Sequence, residues 1–325
     1  MQGEQQHYVP RFLLKNFTHG KKPKIFVYDK SNDNRFHTNI KNIAAENGFY
    51  DLEFEDGVLT AEPSLARLEA NTSGIIKKLI KGRNIKSLSE DEVAILALFL
   101  AVQFVRTKEH RLRFEHLGKQ ITQKLCDMGV KEEKINEFIG SPGSSPEDKL
   151  FGLRSLVNAK EFVPHFLNKA WVLLETTSRN PFFISDNPIG LHNDMHFGPY
   201  GNLGLAVKGI QIYLPISSTL CLNFLCPTIA EEFVKAYDNI RHLDQVAPGL
   251  ADSAMKKPAF ARAFCDGLVN GTPIRVVEDN VTMINSLQVV YSSRFVYCES
   301  DAFKLIERMI RDNQKYREGL KPLIG

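Results

Sequence analysis

The run VAILALFLAV, Val93 to Val102, has no polar residue in ten positions and constrains this chain more than any other stretch. As a helix it reaches about 15 Å, roughly half of what a bilayer requires. A segment that is apolar all round and too short to span a membrane must be packed on every side, so it predicts a central helix buried by other elements. Ser89 and Glu92 form a capping box that starts this helix. It is expected to run without a break into QFVRTKEHRLRFEHLGKQ. Phe99, Gln103, Arg106 and His110 then fall on one face. Arginine cannot shed its charge, so a buried Arg106 needs an anion, with Glu62, Glu69, Asp186 or a bound phosphate as candidates.

The rest of the chain supplies what must pack around that helix. PKIFVYDK and the stretch ending in NGFYDLEF read as strands, the second closed by an Asp56-Gly57 turn. A first long helix is predicted from about Pro63 to Lys81, with Leu65, Leu68, Thr72, Ile75 and Leu79 as its apolar stripe and Gly82 as its stop. GSPGSSPED, 140–148, reads as a loop between possible lobes 1–139 and 149–325. Beyond it KAWVLLETT, PFFISDNPI and GIQIYLPISSTLCLNFL read as strands. Helical patterning returns from Ile229 to about His242, in VTMINSLQVVYSSRFVYCES, and from Asp301 to Arg317. The expected architecture is α+β: a helix-rich single composite domain, 1–325, with a small mixed or antiparallel sheet contributed by both halves of the chain.

Bulk properties exclude several classes. A net charge of +3 over 325 residues imposes no whole-molecule field toward nucleic acid or membrane. Five widely spaced cysteines without a CxxC argue against a disulfide framework and a structural zinc site. The first residues lack the pattern of a secretion signal, which points to a reducing, cytoplasmic location and no membrane partner.

The candidate chemistry lies where polar residues interrupt apolar context. In QHYVPRFLLKNF, ending at Phe17, Pro10 can open a short helix that packs through Leu13, Leu14 and Phe17. That places His7 just before it and Arg11 on its first turn. Glu62 and Glu69 are seven residues apart on the first long helix, hence on one face and about 10 Å apart along the axis. A carboxylate beside a core stripe must be paired or functional. In FFISDNPIG a hydrophobic strand stops at Asp186-Asn187, where a rigid strand end can display a metal ligand, a base or a group that orients His7. Each has a plainer alternative: a cap for His7, salt bridges for Arg11, Glu69 and Arg106, a dipole-favoured helix start for Glu62, and an Asx-turn for Asp186 or Asn187. Arg111 and His116 share the R-x4-H spacing of one class of helical ribonucleases, although on an ideal helix they diverge by roughly 140°.

QHYVPRFLLKNF, NGFYD, Glu62 with Glu69, FLAVQFVRT, FISDNPI and YLPIS together resemble the mainly bacterial family catalogued as domain of unknown function 4238, and MINSLQVVYSSRFVY resembles its later helical segment. The resemblance brings no mechanism, but it falls on the stretches already marked as odd. It therefore implies one composite site: His7, Glu62, Glu69 and Asp186 as catalytic residues, with Arg11, Tyr50, Gln103, Arg106 and Asn187 on the substrate. The leading expectation is a hydrolase of a phosphate-bearing substrate, nucleic acid or nucleotide, in a phage-defence or toxin setting suggested by the family's occurrence. Asp186, Glu62 and Glu69 would hold a divalent cation, Mg or Mn. The alternatives are a non-catalytic small-anion sensor with a buried polar network, and a metal-independent ribonuclease using Arg111 and His116.

Overall fold

The structure, a computed structural model, describes residues 4–321 except 21, 56, 132, 136–144, 199–200 and 255–257, with 145–148 described in backbone only. Along the chain come β1 (Gln5–His7), α1 (Arg11–Leu14), β2 (Lys24–Asp29), β3 (Asn34–Asn39), β4 (Ala45–Asn47), β5 (Asp51–Phe54), β6 (Gly57–Thr60), α2 (Glu62–Gly82), α3 (Glu90–Val105) and α4 (Lys108–Asp127). Then follow α5 (Ser145–Asn158), α6 (Val163–Leu167), β7 (Ala170–Glu175), β8 (Ile184–Ser185), β9 (Gly190–His192), β10 (Gln211–Pro215), β11 (Leu220–Leu225) and α7 (Pro227–Val246). The last are α8 (Leu250–Ala254), α9 (Pro258–Asn270), β12 (Ile274–Arg275), α10 (Glu278–Tyr291), β13 (Phe295–Cys298) and α11 (Lys304–Asp312).

The architecture is α+β and rich in helix. A four-stranded antiparallel sheet, ordered β3-β2-β13-β8, joins the two halves of the chain: β13 pairs with β2 through Phe295↔Asp29 to Cys298↔Phe26, and with β8 on its other edge. A five-stranded sheet, β12-β7-β11-β10-β9, comes from the second half alone and is mixed, because β12 runs parallel to β7. β1 pairs with β4 and so ties the opening segment to the body.

The apolar run is buried over most of its surface but not on every side, since Ala94 and Leu98 are exposed. Leu96, Ala97, Phe99, Leu100 and Ala101 of α3 are all fully buried, packed by α2, α6 and the turn after α5. The capping box at Ser89 and Glu92 is present. The expected single long helix is not: it breaks at Arg106-Thr107, because the Thr107 side chain accepts from the His110 amide and caps a new helix, α4. α2 starts at Glu62 with Pro63 in its first turn, and Arg83, at φ 50°, takes the left-handed position that ends it just beyond Gly82. VTMINSLQVVYSSRFVYCES is helical only in its first part and becomes β13 in its second. Of the 140–148 loop and the Asp56-Gly57 turn, Gly140 to Ser144 and Asp56 lie outside the described residues, while α5 already begins at Ser145. No described helix is long and apolar enough to cross a membrane.

Candidate functional site

The break at the end of α3 leaves Arg106 as that helix's C-cap, 2% exposed, where three segments distant in sequence converge. Its guanidinium divides its donors among them. Nε donates to Tyr50 Oη at 3.1 Å, and Nη2 donates both to the His7 carbonyl at 2.6 Å and to Glu69 Oε1 at 2.7 Å. Tyr50 is itself fixed: its hydroxyl donates to the same His7 carbonyl, and its amide donates to Gln6 Oε1 at 2.6 Å. The remaining nitrogen, Arg106 Nη1, is buried with no partner.

Three further atoms share that condition: His7 Nε2, Glu62 Oε2 and Gln103 Oε1 are buried and unpartnered. Gln103 is held by its other end, Nε2 donating to the Tyr8 carbonyl at 3.0 Å. A buried polar group normally has a partner, and leaving one unmatched costs about 1–3 kcal/mol. Four such atoms lie on residues grouped around one guanidinium. His7, Glu62 and Glu69 are only half-buried, so the cluster reaches the surface along that edge.

The electrostatics drive the two titratable members toward neutrality. Burial lowers the His7 pKa, and the charges of Arg11 and Arg106 lower it further against the carbonyl of Ile40. His7 Nε2 has no partner. Burial raises the Glu62 pKa, the Glu69 carboxylate adds to the rise, and Arg106 opposes it. The shifts thus weight His7 toward its deprotonated form and Glu62 toward its protonated form beside one guanidinium.

The structure brings together His7, Tyr50, Glu62, Glu69, Gln103 and Arg106, with Arg11 exposed at the edge. Asp186 and Asn187 do not join them. Asp186 is 1% exposed and accepts four hydrogen bonds at 2.8 Å, from the Ser293 amide and hydroxyl and from the amides of Arg294 and Phe295. Burial raises its pKa while the Phe295 amide, Lys30, Ser293 and Arg294 oppose the rise. Asn187 donates to the Tyr291 carbonyl at 2.9 Å and accepts from Thr107 Oγ1 at 3.0 Å. Asp186 holds the turn after β8 against the start of β13, and Asn187 ties it to the end of α10 and the N-cap of α4. The expected Asp186, Glu62 and Glu69 cation set is therefore not assembled: Asp186's oxygens already carry four donors, Glu69 Oε1 takes Arg106, and among the described residues no three His, Cys, Asp or Glu side chains gather as metal ligands.

Other expected neighbours are apart as well. His110 stacks on Phe151, contacts Ser155 Oγ at 3.3 Å and has its pKa lowered to about 4 by burial and by Arg113 and Arg111. Arg111 lies 3.6 Å over the Phe49 ring, whereas His116 lines a separate cavity with Arg113, so the R-x4-H pair is split between two neighbourhoods. Gln6 is the residue the sequence reading missed. It is buried beside His7 and joins the Tyr50 amide to the Asp51 carboxylate, and its only signal was its place in the same interrupted apolar stretch.

Fold and cluster together define a helix-rich α+β protein with a charged, partly unsatisfied cluster where its opening segment meets two long helices. The chain belongs to the family described as "Protein of unknown function (DUF4238)", whose model matches residues 5–302. Nothing among the curated proteins or the solved structures matches it.

Proposed function

We propose that the chain is a hydrolase of a phosphate-bearing substrate, working at the Arg106 cluster by general acid–base catalysis. The observation that carries this reading is the set of four unpartnered buried atoms, His7 Nε2, Glu62 Oε2, Gln103 Oε1 and Arg106 Nη1. Arg106 Nη1 donates to a phosphoryl oxygen and is pre-aimed by Tyr50, Glu69 and the His7 carbonyl, so little reorganisation is needed. His7 Nε2 takes a proton from water as the water oxygen bonds to phosphorus. Glu62 gives its proton to the leaving oxygen as the P–O bond breaks, and the site resets by returning the His7 proton to Glu62 through solvent. Gln103 Oε1 can accept from the attacking water. Nucleotides and nucleic acids carry the required group. Three half-buried residues at the edge, His7, Glu62 and Glu69, suit a small ester or a chain end better than a long duplex, which needs a basic track alongside.

The test is turnover of aryl phosphomonoesters, aryl phosphodiesters, total RNA and plasmid DNA with magnesium, manganese or chelator. Turnover of at least one that falls by about 10²–10⁴ in both His7→Gln and Glu62→Gln, with folding unchanged, is the expected result. Absence of turnover on all four substrates in every condition overturns it.

A further inference from the structure

A second group of unsatisfied buried atoms lies on α4, away from Arg106. Glu109, Arg113 and His116 are spaced by four and three residues and so face the same way. The Glu109 side chain is 4% exposed and accepts from Arg113 Nε at 3.0 Å, and the guanidinium lies 5.3 Å from the centroid of the Tyr291 ring. That pair and that ring fix the orientation of Arg113, yet its Nη2 is buried with no partner, and so is His116 Nε2. Glu109, Arg113 and His116 all line a cavity of about 340 Å³ whose wall also includes Lys119, Ser293 and Lys321. Lys119 pairs with Glu115, and Lys321 with Glu318. One side of the cavity is made by the segment after α11. Arg317 anchors it with bonds to both Asp33 oxygens and to the Lys30 carbonyl, and the backbone at Gly319 passes so close over the Glu109 carboxylate that a Cβ there would collide with it.

A guanidinium N–H can only donate, and a neutral imidazole nitrogen without a partner can do so in one tautomer. Lys119 and Lys321 are paired to Glu115 and Glu318, which line the cavity too, so the two open donor positions on Arg113 and His116 are what call for an acceptor of small size. We propose that this cavity is a binding site for a small oxyanion of the phosphate class, held by Arg113 Nη2 and His116 Nε2. Glu109 accepts from Nε on the Nε–Nη2 edge of the guanidinium, so the ligand is met by the Nη2 proton on the Nη1–Nη2 edge. The reading is independent of the hydrolase proposal, because none of these residues belongs to the Arg106 cluster.

The experiment follows the imidazole resonances of the full-length protein while inorganic phosphate is added at constant ionic strength, with His116→Gln and His7→Gln supplying the assignments. A saturable shift of the His116 signal, weakened by about tenfold or more in Arg113→Lys, is expected, since lysine keeps the charge and loses the planar fork. A His7 shift in the same titration reports the Arg106 cluster separately, so the two proposals stand or fall apart. If Arg113→Lys does not fold, calorimetry of His116→Gln, which keeps the Glu109–Arg113 pair, must show one class of phosphate site fewer than the parent chain. No saturable His116 shift, an equal shift in Arg113→Lys, or an unchanged number of sites in His116→Gln overturns the proposal and leaves the cavity to water.

Discussion

Asp186 and Glu62 are both carboxyls set beside apolar interfaces at the end of a regular element, and burial raises the pKa of each. Their surroundings differ in one respect. Asp186 meets the chain where β13 begins, and three amides and a hydroxyl of residues 293–295 fill its oxygens. Glu62 stands in the first turn of α2, and its Oε2 meets no donor at all. Asp186 thus has its hydrogen-bonding capacity filled by the fold, whereas Glu62 keeps an oxygen that the fold leaves open. The same contrast separates Asn187, bonded at both ends, from Gln103, bonded at one.

The widest gap should appear on truncating the saturated carboxyl. Asp186→Ala strands three backbone amides and should lose roughly 3–5 kcal/mol of stability, whereas Glu62→Gln should change stability by at most about 1 kcal/mol. Denaturant unfolding of both variants decides it, and equal losses would erase the distinction. Asn187→Ala should cost about 1–3 kcal/mol through the stranded Tyr291 carbonyl and Thr107 hydroxyl while leaving any turnover intact. The third effect is a slope. Because the folded pKa of Glu62 lies above its ordinary 4.5, the folded chain holds that proton more tightly than the unfolded chain does. Its stabilising contribution is therefore present at low pH and lost as pH rises from 4.5, so Glu62→Gln should flatten the stability profile above that value. Glu109, raised to about 7 by burial, has the same sign and is common to both proteins, so it cancels in the difference. Smallest of all, Arg11→Ala removes one of the charges that lower the His7 pKa. A histidine titration by NMR should show that pKa rise, with stability unchanged to within about 0.5 kcal/mol.

What could be read from the residues was burial, and what could not was partnership. Glu62, Glu69, Gln103 and Arg106 stand out in sequence because each interrupts an apolar stripe, and all four do enter the interior or its edge. Asp186 stands out for the same reason, but its donors lie 107–109 residues further on, in a segment that periodicity assigned to a helix. The division of the central helix turned on a single hydroxyl: Thr107 looked like one more residue in a helical run, and only its bond to the His110 amide shows that α4 begins anew there. That break sends His110 toward Phe151 and leaves Arg106 at a helix end, where its guanidinium can reach three other segments.

The pairing of β13 with β2 also bears on how the chain reaches this state. His7 is paired through β1 to β4, which follows closely on β3; β3 is hydrogen-bonded to β2, and β2 finds its other neighbour only in residues 295–298. A chain growing from its amino end would have β1, α2 and α3 in hand long before β13 exists, with one edge of β2 bare in the meantime. Contacts of such sequence separation are slow to close. The Arg106 cluster would then acquire its final surroundings only once residues 295–298 exist, and a chain ending short of residue 295 would keep most of the cluster's side chains without the partner strand of β2.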